Sequence, residues 1–344
     1  MKIYRILAAV LLMSLLVGCG PKAASSACGE VFLYGEIHGC EVIMEKELEL
    51  WKDCYEDGCR HLFLEVPYYT AGLLNCWMLD ENDKILEALY ADWEGTQIHT
   101  KDVLAFYRKI KDTCPETIFH GTDVGHQWDT TGERYLNYLE HEGKKDSEEW
   151  KRTETIIGQG QKYYVEGQDS VYREQCMADN FTWEIDNLNG KNVMGIYGSV
   201  HISLSGTVDS EGKIPFMAGK LRERYGEAIH TEDLSWLAAY VGTKEVEIAG
   251  REYEADAFYQ DLRGYFENYS GRYFFRLKNV GEEFDQWNRS GNVLPYGNYP
   301  MVVEEGQVFL VELIGTDGSV ISGIYRADGT VWNGQPSTWE IVQR

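Results

Sequence analysis

Four short apolar runs in this chain are each followed at once by residues that can move protons or hold a cation. Val31–Tyr34 leads into Gly35-Glu36-Ile37-His38-Gly39. Leu62–Leu64 leads into Glu65, and Thr117–Phe119 into Gly121-Thr122-Asp123-Val124-Gly125-His126. Val193–Tyr197 leads into Gly198-Ser199-Val200-His201. Imidazole and carboxylate without thiolate suit a divalent zinc, manganese, cobalt or iron ion. Such an ion lowers the pKa of a bound water and polarises a carbonyl. Without metal, the same groups make a general base with an orienting carboxylate. Glu36, His38, Glu65 and His201 are the joint candidates, and Asp123 and His126 the second pair. Ser199 is a weaker candidate nucleophile. There is no Gly-x-Ser-x-Gly elbow and no His-Glu-x-x-His helix. His61, His99, His120, His141 and His230 read as structural or surface residues.

The elements that must position these residues follow from periodicity. Each apolar run has the length of a buried strand. Helical spacing follows over 42–55, 71–93, 101–111 and 216–225, with a long polar helical stretch over 131–187 that Gly158 and Gly160 are expected to break. Ala228–His230 is a fifth strand candidate. Alternating strands and helices predict an α/β domain over 30–244, a mostly parallel sheet flanked by helices. In such sheets ligands bind beyond the carboxyl ends of the strands, where these polar residues fall. From 245 to 344 the texture turns to short β runs, such as Tyr273–Phe275 and Val308–Val311, split by Thr316-Asp317-Gly318 and Ala327-Asp328-Gly329. This predicts a small β-rich region, with Trp287, Trp332 and Trp339 as candidate docking aromatics if they are exposed.

The N-terminus carries its own signal. Lys2 and Arg5 precede an apolar run from Ile6 to Val17, which ends at Gly18-Cys19. This reads as a secretory signal over 1–18. The run falls short of the ~20 apolar residues of a membrane span. Leu16-Val17-Gly18-Cys19 resembles the lipobox of bacterial lipoproteins. Lipid on Cys19 would hold the chain at the outer face of a bacterial membrane, with 19–29 as a tether. A formal charge of −24 argues against nucleic acid as a partner. Besides Cys19 there are seven cysteines and no Cys-x-x-Cys, which disfavours a thiolate zinc site. Cys54 and Cys59 could bridge or stay as thiols, since Asp57-Gly58 lies between them.

The two Gly-x-x-His motifs, at Gly35–His38 and Gly198–His201, with Glu65 between them, resemble the pattern of the TraB/Tiki group. Its wider superfamily includes erythromycin-esterase-like enzymes and haem-binding ChaN-like lipoproteins. Arg173-Glu174-Gln175-Cys176-Met177-Ala178 resembles the Arg-(Asp/Glu)-x-x-Met-Ala segment of that group. The Tiki branch implies a metal-dependent peptidase centre on His38, Glu65 and His201. The esterase branch implies ester opening by water, where Gly-Glu-x-x-His-Gly is usual and this chain is one residue shorter. The ChaN-like branch implies haem bound without catalysis. Arg173 is then expected to pair with Glu36 or Glu65, or to hold a substrate anion. The expected protein is an exported lipoprotein hydrolase, metal-dependent, cleaving an ester or amide in a small molecule or peptide. Its rival is a haem-, metal- or ligand-binding lipoprotein.

Overall fold

A computed structural model of the chain describes residues 29–343. The signal segment, Cys19 and the tether as far as Cys28 lie outside the described residues.

The first unit follows the expected alternation. It runs β1 (Val31–Glu36), α1 (Glu41–Glu56), β2 (His61–Pro67), α2 (Tyr68–Leu79), α3 (Lys84–Asp92), α4 (Lys101–Thr113) and β3 (Ile118–Asp123). Then come α5 (Glu133–His141), α6 (Glu148–Tyr164), α7 (Ser170–Asp186), β4 (Val193–Gly198), α8 (Met217–Tyr225) and β5 (Ile229–Asp233). The five strands form one parallel sheet in the order β3-β2-β4-β1-β5. Successive side chains of a strand point to opposite faces. Leu62 and Leu64 therefore join the core under α1 to α6, while Phe63 joins the core under α7 and α8. Every residue of β4, at the centre of the sheet, is buried.

Two helix boundaries differ from the sequence reading. The stretch 71–93 is two helices, because Asp80 to Asp83 turn the chain and Trp77 Nε1 donates to Asp83. Gly158 and Gly160 do not break the long polar stretch; both lie inside α6. The breaks fall instead near Gly143 and Gly167, which have positive φ. Gly160 is needed for contact: a Cβ there would sit 1.7 Å from the Gly125 carbonyl oxygen. Side-chain caps start three helices, with Thr100, Ser147 and Asp169 each accepting a backbone N–H at the head of α4, α6 and α7.

The C-terminal part is an antiparallel sheet of β6 (Tyr240–Ile248), β7 (Arg251–Asp261), β8 (Tyr269–Leu277), β9 (Asn288–Pro295), β10 (Val308–Gly315), β11 (Val320–Arg326), β12 (Val331–Trp332) and β13 (Gln335–Val342). Its path is β12-β13-β11-β10-β8-β7-β6, with β9 on β13. Phe274 and Phe309 are fully buried on one face, and Ala257 and Phe284 on the other. Of the three tryptophans singled out above, Trp332 is exposed and Trp287 packs against Phe284 on the face that holds Ala257. Lys244 falls inside β6, which starts at Tyr240.

Among the described residues, Cys40, Cys54, Cys59, Cys76, Cys114 and Cys176 are free thiols. Cys54 and Cys59 are in hydrogen-bond contact with each other, which draws the Cys59 thiol down to about 7. No helix among the described residues is long and apolar enough to cross a membrane.

Candidate active site

The sheet order decides what can meet. Asp123 ends β3, Glu65 lies near the end of β2, Gly198 ends β4 and Glu36 ends β1. These strands are consecutive neighbours, so their carboxyl ends form one row. Glu65 sits where the pairing of β2 with β3 shifts register, between Leu64 and Pro67. A local irregularity of this kind re-aims a side chain. Here it turns Glu65 across the row toward Gly198, whose backbone N–H donates to Glu65 Oε2 at 2.6 Å. A Cβ on Gly198 would lie 3.3 Å from both Glu65 Oε2 and His38 Nε2, so glycine keeps that approach open.

Each candidate histidine is held by a carboxylate. His38 Nδ1 is 2.7 Å from Glu36 Oε1, and its Nε2 is 3.7 Å from Glu65 Oε2. His201 Nδ1 is 2.5 Å from Glu174 Oε1, and its Nε2 is 3.3 Å from Glu65 Oε1. Glu174 Oε2 in turn accepts from the Met217 backbone N–H at 2.7 Å, which fixes it at the head of α8. The hydrogen bond His38 donates to Glu36, then that to Glu65, raises its ring to about 10 against the pull of burial. Burial works against charge on His201, but Glu174 and Glu65 outweigh it and raise the ring to about 9. Burial would likewise raise Glu65, yet His201, His38 and Arg173 hold its carboxyl well below the usual range.

Arg173 occupies the centre. Its Nη2 donates to Glu65 Oε1 and to Asp123 Oδ2, both at 2.7 Å, and its Nε to Asp123 Oδ1 at 3.0 Å. Nη1 lies 3.4 Å from His201 Nε2 and is the least committed of its nitrogens. The partners are therefore Glu65 and Asp123, and not Glu36. His126 stands at the rim, with Nε2 3.6 Å from Asp123 Oδ2 and Nδ1 on the Gln127 side chain. Ser199 gives its backbone N–H to the Glu36 carbonyl and is not among the residues lining the cleft. All seven candidates, Glu36, His38, Glu65, Asp123, His126, Arg173 and His201, thus meet at one edge of the sheet.

The cleft they border has a volume of about 410 Å³. Glu36, His38, Glu65, Asp123, His126 and Arg173 supply its charged lining, and His201 is not among the lining residues. Met44 of α1, Ile98, Val103, Phe106 and Tyr107 of α4 and its leading loop, and Ile196 supply apolar lining. The loop is seated on Gly39, where φ is 71° and a Cβ would meet the Gln97 carbonyl oxygen at 2.4 Å. Sequence reading missed two acids. Glu174 lay within the Arg-(Asp/Glu) motif and was left without a role. Glu47 lines the cleft from α1.

The expected divalent metal on His38, Glu65 and His201, with Asp123 and His126 nearby, meets an obstacle in this geometry. The lone pairs of Glu65 and Asp123 that face the centre are taken by the Arg173 guanidinium. A dication drawing on the same oxygens would sit against a fixed positive charge. The donor set does not fit a divalent ion. Among the described residues, no group of three or more His, Cys, Asp or Glu is arranged to hold one. Calorimetric titration with zinc or manganese is therefore expected to show no binding at this site. Binding that is lost in His38→Ala and His201→Ala would return the metal to the site.

No protein-family model matches the chain, and no curated protein matches it. Among solved structures it is similar to a Bacillus cereus protein, at 15% identity over 74% of this chain and 78% of that one, with a TM-score of 0.45. It is similar to a succinoglycan biosynthesis protein at 16% identity, 69% and 77% coverage and a TM-score of 0.43. It is also similar to a mutant of the erythromycin esterase EreC in its open conformation, at 10% identity, 68% and 78% coverage and a TM-score of 0.44. These likenesses are too distant to assign an activity.

Proposed function

We propose that this protein is a hydrolase that cleaves an ester, and more slowly an amide, in a molecule with an apolar body, using His38 as general base and no metal. The observation that carries the reading is the placement of His38. Its Nδ1 is fixed by Glu36, and the ring lines the cleft with Nε2 3.7 Å from Glu65 Oε2. In its neutral form the ring takes a proton from water at Nε2 while Glu36 holds Nδ1–H. The water oxygen bonds to the ester carbonyl carbon, and charge grows on the carbonyl oxygen. Arg173, whose guanidinium lines the cleft, donates to that oxygen. The carbon–oxygen bond to the leaving alcohol then breaks, and the proton on Nε2 passes to the alkoxide. The balance of atoms needs water alone.

The base must lose a proton before it can act, and Glu36 makes that hard. The prediction follows in sign. For p-nitrophenyl esters of medium-chain acids, kcat/KM should climb with pH toward the value near 10 at which the ring is held. Glu36→Gln removes the largest cause of that rise and should move the limb to lower pH. A limb that stays put in Glu36→Gln would remove His38 from the role of base.

We further propose export and lipid attachment at Cys19, supported by the basic start, the short apolar run and the Leu-Val-Gly-Cys sequence. A bacterium expressing the full chain with labelled palmitate should incorporate label, and Cys19→Ser should not. Equal labelling of both would overturn the anchor.

A further inference from the structure

The cleft contains one acid that the proposed reaction does not use. Glu47 lies on α1 with 1% of its surface exposed and lines the cavity beside Met44 and Tyr107. Its Oε1 has no hydrogen-bond partner among the described residues. It falls in the apolar stripe of the helix, with Ile43 one turn before it and Trp51 one turn after it on the same face. Glu36 and His38 are its charged neighbours, and neither bonds to it. A buried polar group without a partner is costly, so its persistence at a cavity wall points to a partner that arrives with the ligand.

We propose that Glu47 is a specificity-determining residue that receives a hydroxyl group carried on the otherwise apolar body of the substrate. The chemistry of the acid selects the ligand group. Burial, with Glu36 adding to it and His38 opposing it, holds the carboxyl well above its usual range and so favours its neutral form. A neutral acid offers one O–H donor and one carbonyl acceptor. A hydroxyl offers the same pair in reverse. An ammonium group offers three donors and no acceptor, and would need the ionised acid that burial and Glu36 disfavour. The substrate class is thus a hydroxylated acyl or ring system, with its hydroxyl well away from the bond that is cut. The reaction is taken from the hydrolase reading, but the recognition does not depend on it.

The test uses p-nitrophenyl esters from butanoate to decanoate, each with and without a terminal hydroxyl, on the full-length protein. The anilides of the same acids serve as binding probes by calorimetry. At the best chain length, wild type should favour the hydroxylated member roughly tenfold or more in kcat/KM and in Kd. Glu47→Gln keeps a donor and an acceptor and should retain most of that preference. Glu47→Leu should lose it and gain on the plain member. No preference at any length in wild type overturns the proposal, as does a wild-type preference surviving in Glu47→Leu. Turnover without preference would leave the hydrolase standing and remove Glu47 from recognition. Preference in anilide binding without ester turnover would do the reverse.

Discussion

His38→Ala is expected to lower kcat for p-nitrophenyl ester hydrolysis by about 10²–10⁴-fold, the usual worth of a positioned general base. The ring is partly exposed at the cleft wall, so its loss removes little packing. Far-ultraviolet circular dichroism and the melting temperature should therefore stay near wild type. KM should change less than kcat, because the apolar lining of the cleft is supplied by other side chains. Glu36 loses its partner in this variant, but it stands at the edge of the cleft where water reaches it. The comparison with His201→Ala separates roles. His201 is not among the residues lining the cleft and touches Glu65 and Arg173, which are, so it acts as a positioning residue. Its removal frees Glu174 and disturbs the guanidinium, and should cost stability as well as rate. Unchanged turnover in folded His38→Ala would end the hydrolase reading.

Arg173→Met should destabilise the folded chain by about 3–5 kcal/mol, the cost of leaving a buried charge without its partner. This cation bridges two buried carboxylates, with side chains 7% exposed at Glu65 and 2% at Asp123. Methionine fills much of the volume and so isolates charge from packing. Arg173→Lys restores a charge but cannot bridge both carboxylates as a planar fork does, and should recover only part of the loss. Denaturant midpoints of the three proteins read the effect. The loss should ease at low pH. Glu65 is held below the usual carboxylate range in the native protein, so the stability it contributes is present above its unfolded pKa and fades as the pH falls through its native value. In Arg173→Met that native value rises, and the gap between variant and wild type should narrow under acid. A variant as stable as wild type at neutral pH would show that the central ion pairs contribute nothing net.

Why the strands were legible and the partners were not is a matter of range. Val31–Tyr34 and Val193–Tyr197 announce themselves by local composition, and the acids and imidazoles follow directly, so their arrival at one edge follows from strand direction alone. The spatial order β3-β2-β4-β1-β5 has no local signature, and it is this order that sets Glu65 between Asp123 and Gly198. The register shift that aims Glu65 is equally silent in sequence. The guanidinium at the centre was foreseen as a residue but not as the occupant of the place assigned to a metal, because α7 is docked by long-range packing of Met177 and Phe181. Gly158 and Gly160 were misread because glycine marks close contact as well as chain breaks, and only the neighbour at Gly125 tells which. Glu47 had a readable sign. An acid in register with Ile43 and Trp51 on a helix face either breaks amphipathicity or serves a purpose.

The division of the cleft between strand ends and helices carries a consequence for how such a protein changes. The groups proposed to break the bond hang from β1, β2 and β3 and from α7, held by ion pairs that resist displacement. The surfaces that would greet the rest of the molecule come largely from α1, α4 and the loop seated on Gly39. A lineage can therefore lengthen, shorten or re-side that loop and the inner face of α4 and explore new molecules while its reaction centre stays as it was. Laboratory selection that randomises Ile98, Val103 and Phe106 would draw on the same freedom, and libraries aimed there should yield more active clones than libraries aimed at the ends of the strands.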